Sequence, residues 1–101
     1  MLFTSGLNLV TQTEQFSNAV ASYNITGGAF NFLTHAALDT TSRGPLSQAS
    51  ISHFLLVESY LTGTISACQL ATTGARSCVL VATLTTNGSS RTPAGIGVIT
   101  A

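Results

Sequence analysis

The chain has 101 residues, no net charge and six charged side chains: Glu14, Asp39, Arg43, Glu58, Arg76 and Arg91. Three scattered arginines and no lysine exclude the basic patch that nucleic-acid binding needs and the cationic face of a membrane-surface helix. An apolar fraction of 45% is that of a globular chain, and no apolar run nears the roughly 20 residues that span a bilayer.

In chain order, the first fifteen residues hold Leu2, Phe3, Leu7, Leu9 and Val10, interrupted by Gly6 and followed by the polar Thr11–Gln15. This composition is that of an edge strand or of an arm that adds a strand to a neighbouring subunit. Met1–Leu7 lacks the basic region and long apolar core of a secretory signal. Strands are expected at 7–12, 16–24, 29–38, 51–61, 64–71, 76–86 and 95–101, rich in Val, Ile, Thr, Tyr and Phe. They are separated by Gly27-Gly28, by the Asp39–Ser50 segment with Gly44-Pro45, by Thr62-Gly63, by Thr72–Gly74 and by Asn87–Pro93. Segments 16–24 and 51–61 also carry apolar residues at helical spacing. Apolar side chains on both faces of 51–61 favour a strand buried on two sides.

Thr72-Thr73-Gly74 fits a three-residue hairpin loop with a left-handed glycine. That register pairs Ala71 with Ala75 and Leu70 with Arg76, and sets Cys68 opposite Cys78. A cross-strand disulfide is the expected state in an oxidising setting; in the cytosol the thiols stay reduced. Their ten-residue spacing is neither a zinc knuckle nor a C-x-x-C redox pair. Pro93 belongs to a loop, and the final strand is placed beside 76–86.

No catalytic, cofactor or metal motif is present. His35, Asp39, His53 and Glu58 lack metal-ligand spacing, and both histidines read as hydrogen-bonded residues at strand edges. No serine lies in G-x-S-x-G, and Gly27-Gly28 and Gly95-Ile96-Gly97 are too short for phosphate loops. Asn24-Ile25-Thr26 and Asn87-Gly88-Ser89 are glycosylation sequons that matter only in a secretory setting. The 28 serines and threonines have no regular period, which excludes an ice-binding ladder, and are expected to dominate the surface.

The expected fold is therefore all-β: a single compact domain over 1–101, a jelly-roll-like sandwich of seven or eight antiparallel strands. The expected role is a structural subunit that self-assembles into a fibre, coat or shell outside the cell or after lysis, with itself as partner. It needs no cofactor, metal, nucleic acid or membrane. Its surface lacks the Lys and Glu that normally guard sheet edges, and zero net charge removes repulsion between copies. In composition, though in no motif, the chain is similar to small β-sandwich subunits of spore appendages, pili and phage decoration proteins. One alternative is a carbohydrate- or small-ligand-binding module using Tyr23, Tyr60, Asn24, Asn31 and Asp39. Another is a small barrel isomerase or cyclase using His35 or His53 with Asp39 or Glu58.

Overall fold

In a computed structural model, which describes residues 1–84 and 96–97, the chain forms eight antiparallel strands in two stacked four-stranded sheets. The first sheet contains β1 (Leu2–Thr4), β2 (Leu9–Glu14), β3 (Ala19–Thr26) and β4 (Ala29–Ala37) in that spatial order. The second contains β5 (Pro45–Ile51), β6 (Phe54–Ser59), β7 (Thr64–Ala71) and β8 (Gly74–Thr83), also in order. The all-β sandwich is thus as expected. Its connectivity is simpler than a jelly roll: two successive meanders, joined by one crossover at 38–44, in place of interleaved Greek keys.

Several elements differ from the sequence reading for local reasons. Segment 51–61 is not one strand. It turns at Ser52-His53, with Ser52 in the left-handed region (φ 53°), so that Ile51 pairs with Phe54. The preceding residues, read as loop, form β5. Within the segment read as an edge strand or arm, Leu2–Thr4 makes a short edge strand of its own sheet that pairs with β2, after which a 3-10 turn at Ser5–Leu7 leads into β2. Segment 16–24 is strand from Ala19 onward, after a turn closed by left-handed Asn18. The expected strand 95–101 lies outside the described residues except for Ile96 and Gly97.

The hairpin before β8 has a two-residue loop, Thr72-Thr73, so Ala71 pairs with Gly74 and Leu70 with Ala75, in place of the three-residue register. An extra residue on β8 near Ser77 (φ 53°) then shifts the ladder between Ala67 and Gln69. A disulfide joins Cys68 and Cys78 at this bulge, with Cα atoms 4.0 Å apart.

The core is small. Leu9 and Val20 from the first sheet, Leu38 from the crossover, and Leu55, Val57, Cys68, Leu70 and Ala75 from the second make one cluster. Hydroxyls fill much of the remaining interior: Thr11, Ser22, Ser42, Ser59, Thr64 and Ser66 are all buried. Several tie the sheets together. Thr11 Oγ1 donates to Gln48 Oε1 at 2.6 Å, and Gln48 Nε2 donates to the Thr11 carbonyl at 2.9 Å. At the opposite side Ala75 N donates to Ser22 Oγ at 2.9 Å, and Thr34 Oγ1 donates to the Ala75 carbonyl at 3.3 Å. Five of these six hydroxyls have partners and so avoid the desolvation cost of an orphaned group; Ser59 Oγ has none among the described residues.

Candidate functional site

Three places gather chemistry-bearing side chains. The first is the crossover. Asp39 Oδ1 accepts from Thr41 N (3.1 Å) and Ser42 N (3.0 Å), and Oδ2 accepts from Ser66 Oγ at 2.6 Å. Ser42 Oγ lies 3.0 Å from both carboxylate oxygens and shares a 2.7 Å hydrogen bond with Thr64 Oγ1. Burial opposes the Asp39 charge, but the hydrogen bonds from Ser66, Ser42 and Thr41 outweigh it and hold the carboxyl below its ordinary range. Both carboxylate oxygens are occupied by the fold itself. The cluster is a clasp that pins the crossover onto β7.

The second is a histidine–carboxylate contact. His35 Nε2 lies 2.6 Å from Glu14 Oε1. Alternation and register explain how β2 and β4, which are not neighbours, make this contact. Gln12 pairs with Ala21 and Ala21 with His35; Glu14 pairs with Ala19 and Ala19 with Ala37. Small side chains on the intervening β3 let two long ones meet above it. His35 thus meets Glu14, not Asp39 or Glu58. His53 sits exposed in the β5–β6 turn, and Glu58 on β6 accepts from Ser47 Oγ at 3.1 Å. The expected acid–histidine combinations are not brought together. Among the described residues no group of three or more His, Cys, Asp or Glu is placed to hold a metal ion.

The third is the outer face of the first sheet, turned away from the core. Leu9, Thr11, Val20 and Ser22 point inward; period-two alternation therefore turns Val10, Ala21 and Tyr23 outward. Register lines up Phe3, Val10, Tyr23 and Phe32 in one row across all four strands, with Ile25 and Phe30 paired beside it. Tyr23 packs edge-to-face against Phe32 (centroids 5.8 Å, planes at 70°) and against Phe30 (6.4 Å, 62°). Phe3, Phe30 and Phe32 nonetheless remain 52%, 58% and 61% exposed. The sequence holds no motif for this row, because its members lie on four strands and meet only through register.

The alternative sugar-site residues are dispersed. Asn24 and Asn31 pair with each other on the same two strands but alternate to the side opposite Tyr23. Tyr60 follows β6 in the other sheet. Of the five apolar residues assigned to an N-terminal arm, Leu9 and Val10 are buried in β2, while Leu2 and Leu7 pack against the core. Phe3 is exposed on the edge strand β1 of its own sheet. No helix among the described residues is long and apolar enough to cross a membrane. The chain matches no protein-family model, no curated protein and no solved structure.

Proposed function

We propose that the protein is a structural, self-assembling subunit of an extracellular or lysis-released fibre, coat or shell. One observation carries this reading: fourteen large apolar side chains stand exposed among the described residues, on a chain with six charges in total. Isolated exposed apolar residues are ordinary on a soluble monomer, but contiguous ones rimmed by polar groups mark surfaces that bind something. Here so few charges stand between them that nothing keeps copies apart at long range. The absence of lysine leaves trypsin-like proteases only Arg43, Arg76 and Arg91, which suits a particle exposed outside the cell.

Light scattering and negative-stain microscopy of the purified protein at about micromolar concentration, in the range where specific interfaces associate, test it. Ordered particles or filaments are the expected result. A monodisperse monomer, stable over days and across salt concentration, overturns the structural role and raises the ligand-binding alternative.

A further inference from the structure

The outer face of the first sheet has the anatomy of an interface before anything binds it. Its centre is the Phe3–Val10–Tyr23–Phe32 row with Ile25 and Phe30 beside it. Its rim toward one end is Gln12, Glu14 and His35, with the two ionisable groups already paired to each other. An apolar centre and a polar rim are what recognition surfaces present. The half-exposed phenylalanines alone offer about 350 Å² per molecule, taking about 200 Å² for each ring. That is nearly half of the roughly 800 Å² per partner in a standard interface, before any rim is counted.

The character of the face indicates what covers it. A charged partner finds one ionisable pair at the rim to complement, Glu14 and His35, which already contact each other at 2.6 Å. A sugar needs amides or acids beside the rings for its hydroxyls, and Asn24 and Asn31 alternate to the opposite side of the sheet. A second copy brings the same uncharged, aromatic surface and suffers no repulsion from a chain of zero net charge. Edge-to-edge pairing, the other route by which sheets associate, is obstructed. β1 has three residues, and β4, β5 and β8 each carry an extra residue that breaks the ladder: Leu33, Leu46 and Val81, with a second on β8 near Ser77. The central strands β2, β3, β6 and β7 carry none. Among the described residues the edges are blunted against a neighbour and the face is open.

We propose that the outer face of the first sheet is an interface for a second copy of this chain, the two aromatic rows packed against each other about a two-fold axis. The pair is the building block of the assembly, so the inference rests on the self-assembly reading above and names its first contact. An isologous contact of this kind closes on itself, leaving the second sheet of each copy outward for further growth.

Sedimentation velocity over about 1–200 μM, spanning the affinities expected of such an interface, compares the wild type with a Phe30→Thr/Phe32→Thr double variant. Phe16→Thr serves as a control, because Phe16 is 99% exposed in the β2–β3 turn and lies off the row. Threonine keeps strand propensity, and thermal unfolding verifies that each variant folds. Phe3→Thr, from the other end of the row, is an independent second variant. The expected result is a wild-type dimer or larger species, a dissociation constant raised about tenfold or more in the row variants, and no change in the control. Association that persists unchanged in the row variants overturns this interface while leaving self-assembly standing. A wild type that is monomeric throughout overturns both. A monomer that instead adheres to insoluble polysaccharide through the same phenylalanines replaces the second copy with a carbohydrate surface.

Discussion

Gly74 shows how tightly the two sheets are fitted. It opens β8 with φ 118°, and a Cβ there would collide with Thr34 Oγ1 and stand 3.1 Å from Ser22 Cβ. Both neighbours are the residues whose hydroxyls bond the Ala75 backbone, so they cannot retreat without breaking the seam. Gly74→Ala is expected to cost about 3 kcal/mol, from overpacking and an unfavourable backbone together, read as a lower urea midpoint at unchanged slope. Asp39→Asn tests the clasp. The Asp39 pKa is lowered in the folded state, so its stabilisation is present above the unfolded value, near 3.8, and fades as pH falls through the folded pKa. The variant is expected to lose about 1–2 kcal/mol at pH 7, with the difference from wild type shrinking in acid denaturation. A deficit that stays constant down to pH 2 contradicts the electrostatic account. The glycine was legible in the sequence as a turn residue but not as a contact between sheets, because closeness of approach is a tertiary property. The inward hydroxyls were illegible for a related reason: Ser and Thr are equally at home on either face of a strand, and only the facing sheet decides.

At the scale of elements, strands flanked by glycine were readable and those flanked by serine were not. Gly27-Gly28, with φ of 60° and 77°, announces the β3–β4 hairpin. Ser52-His53 turns the chain just as sharply without a residue that advertises it, so the expected strand 51–61 runs through the turn and most of β5 falls in the expected loop. β5 hid further because Gln48 occupies an inward position, reaching Thr11, and breaks the alternation expected of an apolar core. The sequence also has no lysine and only two glutamates to guard edges, Glu14 and Glu58, neither on an edge strand. The guarding is there, but it consists of inserted residues and a three-residue strand, features of register that composition does not record. The β7–β8 hairpin offers a measurable consequence. Its disulfide closes a ten-residue separation, and Cys68 is fully buried. Reduction, or a Cys68→Ala/Cys78→Ala variant, is expected to lower stability by roughly 2–3 kcal/mol on the loop-entropy account. Denaturant titration with and without reductant measures it; equal midpoints contradict it.

For the molecule as a whole, association through an aromatic face has a distinct salt response. With so few charges, 1 M sodium chloride should not dissolve the assembly, whereas sulfate should tighten it by strengthening apolar burial. Assembly that melts in chloride points to ionic contacts instead. The two-meander connectivity also reaches further than packing. Every strand of the first sheet precedes the crossover and every strand of the second follows it. Arg43, exposed within that crossover, is a tryptic site. One cut there yields residues 1–43 and 44–101, each carrying an entire sheet with its ladder unbroken. Asp39 and Ser42 stay with the first fragment while their partners Thr64 and Ser66 stay with the second, so the clasp becomes a non-covalent latch between two peptides. Nicked protein is expected to elute as one species in native buffer and as two in denaturant. That outcome would make the chain a split protein, two separately encodable halves joined by a polar seam and a small core.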